Sequence, residues 1–425
     1  MAAVAVALLA RSLAAPDPAP RQRHLPNGMR VVVQDNEHTA TLVMCALVHV
    51  TALHEPHGKG GTRHLVQNMV ARADGCGAEV AAAGARVGVS VAPDYVELNL
   101  SAPAESLAAC PGLMRRMLFA PAFTQETLAA ERGALMSGLA ARDEVPAPRA
   151  LGRFYECLYP GVGAGDLGAG DPATVAAIGL EDVRRFHNEC YLPNATVVAL
   201  SGGVDGAAAM QAITDAMSGL LPGAMPPQAP EPLPAQPDVA RITGDRDTSV
   251  YVAGGRALPL ASPDYPAAAV GFTALSSGMD SRLYRALRVE RALAYTITGE
   301  LTPSATAPSA FVLVACDPGR LDEVAGVVDA EIARITSQPL SAAELRRAKR
   351  YLIGRHALRR QRNQDVAHYL ALFELLGGPQ GFRRDPQLAG EIAAVNATAV
   401  TEAMRRLFEP TWAVRLEGRQ TAQAD

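Results

Sequence analysis

Two stretches of this 425-residue chain concentrate side chains able to do chemistry. The first, HEPHGKGGTRHLVQNMV, brings His54, His57 and His64 close together in sequence. Imidazole is a common ligand for zinc-class metals, so the cluster raises the question of a metal site. His54 and His57 stand beside Pro56 and Gly58, where solvated loop histidines are usual. No Cys or carboxylate is spaced to complete a tetrahedron with them. The second stretch, SSGMDSRLYRALRVERALAYTITG, sets Arg288 and Tyr295 behind a Gly/Ser loop that holds Gly278, Ser281 and Arg282. From composition alone, Arg288 reads equally as a surface charge and Tyr295 as a core aromatic with its hydroxyl satisfied.

The elements that must position these residues follow from pattern. LPNGMRVVVQD places an Asn-Gly turn before a strand-like run, and TLVMCALVHVTA follows as a longer buried strand, so a hairpin should open the fold. Residues 59–72 and 104–118 carry apolar positions at helical spacing, and VGVSVAPDYVELNLSA between them reads as two strands turning at Pro93-Asp94. Helical patterns run from Thr124 to Arg142 and from Pro172 to Glu189, and ATVVALSGGVD closes this half as a buried strand. The stretch Leu221 to Asp238 (LPGAMPPQAPEPLPAQPD) is dense in proline, which removes backbone donors and favours extended conformations, as in a linker.

Beyond the linker the order recurs: strand SVYVAGGRA, helix SPDYPAAAVGFTALS, a Gly/Ser loop, a helix, strand SAFVLVACD, two long helices and a final strand TWAVRLEG. The expected fold class is α+β in two similar halves. The expected division is a flexible extension over residues 1–23, a first domain over 24–220, the linker over 221–238, a second domain over 239–419 and a tail over 420–425.

Composition narrows the function. The balance of 39 basic against 43 acidic residues, with no Lys/Arg stripe to track phosphates, argues against nucleic acid as a partner. Cys45, Cys76, Cys110, Cys157, Cys190 and Cys316 include no CxxC pair and read as small core residues of a reducing compartment. Residues 1–10 (MAAVAVALLA) are too short to span a bilayer. The Ala/Arg-rich stretch to Arg23, with Asp17 as its only acid, leaves three readings open: a secretory signal, a mitochondrial presequence or a disordered extension. The expected location is the bacterial cytoplasm, with periplasm and mitochondrial matrix as the alternatives.

Both stretches resemble the M16 (pitrilysin and mitochondrial processing peptidase) family, and the resemblance runs from about Leu25 to the final strand. It rests on the LPNG hairpin, the Glu-Pro-x-Gly loop, and a helix that in active members starts Gly-x-x-His-x-x-Glu-His. There two histidines bind zinc and the glutamate is the general base. Here His64 stands at the first ligand, but the base position holds Gln67 and the second ligand position Asn68. The helix ERGALMSG matches the one that supplies a third, glutamate ligand, and that position is Gly138. The resemblance therefore implies a degenerate zinc site and no metal or cofactor in this chain.

The second stretch keeps its family pattern. In active members a Gly-x-x-Ser-Arg-Leu loop precedes a helix bearing an arginine and, seven residues on, a tyrosine that contact substrate and the developing oxyanion. Gly278, Ser281, Arg282 and Leu283 match the loop, Arg288 the arginine and Tyr295 the tyrosine. The segment from Gly84 to Leu98, with Val89 and Val91, matches a strand whose free edge pairs with substrate. The resemblance thus implies a chain inactive alone, acting as the non-catalytic subunit of a heterodimeric peptidase. It would supply Arg288 and Tyr295 in trans to a partner M16 homologue that holds the zinc, as in bacterial pairs such as the one that trims the PQQ precursor. The alternative is a structural core subunit of the cytochrome bc1 complex or the α subunit of mitochondrial processing peptidase.

Overall fold

The computed structural model describes residues 19–72, 76–160, 169–227 and 238–419. Most of the N-terminal extension, most of the proline-rich linker and the C-terminal tail lie outside the described residues. The strands are β1 (Arg21–His24), β2 (Arg30–Asp35), β3 (Thr41–Val48), β4 (Arg86–Val91), β5 (Val96–Pro103), β6 (Thr196–Gly202), β7 (Val239–Thr243), β8 (Ser249–Arg256), β9 (Ala294–Thr302), β10 (Ser309–Cys316) and β11 (Trp412–Glu417). The longer helices are α1 (Thr62–Ala71), α2 (Cys110–Phe119), α3 (Gln125–Asp143), α4 (Pro146–Leu158), α5 (Leu180–Cys190), α6 (Gly206–Met217), α7 (Tyr265–Ser276), α8 (Leu321–Ser337), α9 (Ala342–Arg359), α10 (Asn363–Leu376), α11 (Arg384–Ala394) and α12 (Ala397–Phe408).

The strands form two mixed sheets, ordered β1-β2-β6-β3-β5-β4 and β7-β11-β8-β10-β9. Without β1 their topologies coincide. In each, the first strand pairs parallel with the last, the last antiparallel with the second, and the hairpin of third and fourth strands extends the sheet to a free edge. This is the expected α+β duplication. The opening hairpin forms over LPNG, where Gly28 takes φ +84 and a Cβ would meet that of Asn194 at 2.7 Å. β3 and β10 are buried on both faces, which explains their unbroken apolar runs TLVMCALV and SAFVLVAC.

Several elements differ from the sequence reading. After Ala294, β9 mixes exposed and half-buried positions along AYTITGELT, so it lacks an apolar run and is not among the expected strands. Between β10 and β11 five α-helices stand where two long ones are expected, because Gly-Pro and Asn punctuation splits the segment. Among the described residues no helix is long and apolar enough to cross a membrane.

Each sheet buries one face against helices of its own half. In the first, Met44, Ala46, Leu98 and Leu100 pack with residues of α1, α2, α5 and α6. In the second, Ala253, Val312 and Val314 pack with residues of α7, α8 and α12. The opposite faces are covered by exchange. α10 crosses to the first sheet, laying Val366, Leu370 and Ala371 in one cluster with Val43, Cys45, Leu47 and Val197. α4 crosses to the second, where Phe154, Tyr155 and Leu158 meet Val250, Val252, Phe311, Trp412 and Val414.

Polar contacts fix the exchange. Tyr159 donates to the Pro308 carbonyl (2.7 Å). Asn36 donates to Asn363 Oδ1 (2.8 Å) at the start of α10. Asp94, at the β4–β5 turn, is 1 % exposed and accepts from the Ser304 and Thr306 hydroxyls and from the Ala305 and Thr306 amides. That carboxylate ties the edge hairpin of one sheet to that of the other.

Exchange of helices predicts that the halves do not separate when the tether is cut. With a protease site placed in the linker, the cleaved chain should elute as one species, and Phe154→Ala should lower its unfolding free energy by about 3–5 kcal/mol. Fragments that part on gel filtration without denaturant would contradict the arrangement.

Candidate functional site

α1 presents the histidine motif. Its N-terminus is held by the buried Glu55 carboxyl, which accepts from the amides of Gly61 (3.1 Å) and Arg63 (2.7 Å). Burial raises Glu55 to about 7 against the opposing pull of Arg63 and those two amides. Arg63 is fully buried and donates to the carbonyls of Val50, Ala92 and Pro93, pinning the loop before α1 to the β4–β5 turn. At the other end Arg72 pairs with Glu131 of α3, the first residue of the ERGALMSG match.

This frame sets His64 and Asn68, four residues apart, on one partly exposed face of α1. Gln67 points the other way. It is fully buried, its Nε2 donates to the Glu97 carbonyl of β5, and its Oε1 accepts from Tyr191 Oη (2.9 Å). Burial pushes the Tyr191 phenol well up, so the hydroxyl keeps the proton that it donates. Both ends of the amide are thus committed to the fold, and an amide takes up no proton at neutral pH.

Gly138 lies exposed on α3, which packs against α1. A Cβ there would meet nothing within 4 Å, so the space for a ligand side chain is open and unfilled. The zinc that the fold family implies therefore has one imidazole, an amide side chain and a bare backbone in place of its three ligands. Those residues do not fit a catalytic zinc. His54 does not join His64 either. Its Nδ1 contacts the Thr51 amide (3.0 Å), and burial, then the neighbouring His49, lowers its pKa to about 4. His57 lines a cavity of about 900 Å³ between this loop and α4, together with Arg142, Arg149, Arg153 and Glu156.

The second stretch is placed differently from its expected single helix. Gly278 turns at φ +83 beneath Tyr351, and Ser281, almost fully buried, donates to the Gly278 carbonyl (2.8 Å). Arg282 pairs with Glu344 of α9 (2.7 Å) and buttresses the loop. Arg288 lies in a short π-helical turn, Arg285–Val289, after which Ala292 at φ +50 reverses the chain. Tyr295 consequently belongs to strand β9 and not to a helix. Arg288 Nη1 donates to the Tyr295 carbonyl (2.9 Å), which binds turn to strand.

Tyr295 is 57 % exposed, with its hydroxyl 3.3 Å from Thr248 Oγ1. A core aromatic is excluded by that exposure. Arg288 and Tyr295 stand together at the free edge of the second sheet, as donors turned outward. Val89 and Val91 lie half-buried on β4, the free edge of the first sheet. Glu55, Arg63, Asp94 and Tyr191 escape a reading of the sequence because each acts through partners that no local motif announces.

A direct consequence concerns Gln67. In Gln67→Glu a carboxylate oxygen faces the Glu97 carbonyl, so stability at pH 8 should fall by about 2–3 kcal/mol and recover partly on acidification, as the protonated carboxyl regains a donor. Urea unfolding at pH 8 and 5 checks this, and an unchanged midpoint would show the amide to be dispensable. The variant should hydrolyse no peptide, as the ligands remain absent.

Comparison with known proteins agrees with this fold. Residues 177–352, from just before α5 into α9, match the family described as Peptidase M16 inactive domain. An uncharacterized zinc protease of Streptomyces coelicolor is 24% identical over 375 residues, covering 85% of this chain and 81% of that one. The peptidase M16 inactive domain from Pseudomonas fluorescens superposes with a TM-score of 0.86 at 18% identity, over 95% of this chain and 99% of the other. A chain of complex III2 from Candida albicans does so with 0.76 at 16% identity, over 94% and 95%. The structural likenesses speak for the fold, and the sequence matches show that the chain is similar to the peptidase M16 inactive domain over residues 177–352 and, along most of its length, to zinc-protease-like proteins.

Proposed function

We propose that this chain is the non-catalytic subunit of a two-chain zinc metallopeptidase, paired with an M16 homologue that holds the metal. One contrast supports the reading above all. The general-base position is occupied by Gln67 with both amide ends bonded inside the core, while Arg288 and Tyr295 remain outside it at a free sheet edge. Donors so placed can stabilise an oxyanion that forms at a zinc on another chain, since they need only reach the reacting carbonyl. The edges of β4 and β9 offer unpaired backbone to an extended peptide. Peptide processing of the kind that trims the PQQ precursor is one setting for such a pair. In this reading the zinc belongs to the partner.

A second reading, a structural subunit of a respiratory complex, is favoured by the likeness to the complex III2 chain. The two differ in what the exposed pair does. Arg288→Ala and Tyr295→Phe should each lower kcat of the reconstituted heterodimer on the order of 10²-fold, with assembly and zinc content unchanged. The measurement is turnover per zinc in matched complexes. Full activity in both variants, or failure of the chain to pair with every zinc-bearing M16 chain of its own genome, would transfer support to the structural reading.

A further inference from the structure

Away from the motif helix, on the opposite face of the first sheet, three donors of different chemistry converge. Cys45 of β3, Glu97 of β5 and His368 of α10 each offer one ligand atom, all within 4.8 Å of one another. Cys45 Sγ lies 3.3 Å and His368 Nδ1 3.0 Å from the same oxygen, Glu97 Oε1. A tetrahedral zinc with bonds of about 2.0–2.3 Å holds its ligand atoms roughly 3.3–3.8 Å apart, so displacements below about an ångström would admit the ion. We propose that Cys45, Glu97 and His368 form a site for one zinc-class divalent cation, which clips the exchanged helix α10 to the first sheet.

The surroundings suit that role. Ser90 Oγ (3.0 Å) and Asn99 Nδ2 (2.7 Å) donate to the Glu97 carboxylate and orient it, as outer-shell partners do for metal ligands. Burial pushes Glu97 up, but the hydrogen bond and charge of His368, with the Asn99 and Cys45 contacts, bring it down to about 2, so the carboxylate is ready ionised. The Cys45 thiol, raised by burial and by Glu97, would lose its proton when a bound cation displaces it. A dication with one thiolate, one carboxylate and one neutral imidazole sums to zero charge, which a buried site tolerates. Coordination releases the thiol proton to solvent and leaves His368 Nδ1 as a lone-pair donor, its own proton passing to Nε2 or to water.

His368 and Tyr95 also line a cavity of about 600 Å³, which provides an entry path and room for water as a fourth ligand. This cation would be structural. It lies on the other side of the sheet from His64, and the inference does not depend on the heterodimer reading.

The full chain, stripped with chelator and dialysed, is titrated with Co²⁺ alone and then Zn²⁺ alone. The expected result is one Co²⁺ per chain, with tetrahedral visible bands and a near-ultraviolet thiolate charge-transfer band, displaced by Zn²⁺, and a raised midpoint of thermal unfolding. Cys45→Ser should abolish the charge-transfer band, His368→Gln should abolish stoichiometric binding, and His64→Ala should leave both intact. Should Cys45→Ser fail to fold, His368→Gln, whose ring is partly exposed, decides the matter. No retained Co²⁺ in the unaltered chain, or binding unchanged by His368→Gln, overturns the proposal.

Discussion

Each sheet of this protein has two apolar faces and, from its own half, helices for only one. That shortage governs the rest of the structure. It is met by exchange: α10 leaves the second half to cover the first sheet, and α4 leaves the first half to cover the second. Exposed, those faces would leave contiguous rows such as Val43, Cys45, Leu47 and Val197 in water, at about 25 cal/mol for each Å². The halves are therefore domains by topology and a single body by packing. Asp94, buried with four donors from the opposite hairpin, fixes where the two edge hairpins meet.

That rigidity bears on the position that the family resemblance assigns to a general base. A general base must present a free lone pair to water, whereas Gln67 spends both ends of its amide on β5 and Tyr191. The residue at the position matching the family's base is part of the support for α1. Gly138, in contrast, supports nothing and simply leaves its space open. The two positions show different physical outcomes, one side chain recruited into the core and another removed, with the same consequence for metal binding. Nothing comparable has happened around Arg288 and Tyr295, where the loop from Gly278 to Arg282 is braced by Glu344 and by Ser281.

The sequence carried much of this, for reasons that can be stated residue by residue. Strand runs such as TLVMCALV are legible because burial on both faces demands unbroken apolar side chains. The LPNG turn is legible because a positive φ at Gly28 limits what can stand there. The absence of a base and two zinc ligands follows from residue type alone, since no fold can give Gln67 a carboxylate or Gly138 a side chain. β9 was hidden because an edge strand whose positions are mostly exposed or half-buried has no apolar signature, and with it the assignment of Tyr295 to a strand.

Residue identity thus determined which family ligand and base positions lack a matching side chain, and the order of elements in the repeated halves, because both depend on local composition and spacing. Tertiary structure alone decided which half covers which sheet, that Gln67 is a strut and Tyr295 an exposed donor, and that Cys45 and Glu97 meet His368 from far along the chain. Those outcomes rest on contacts between distant segments, and the energy of burying one face against another is not written in the periodicity of either.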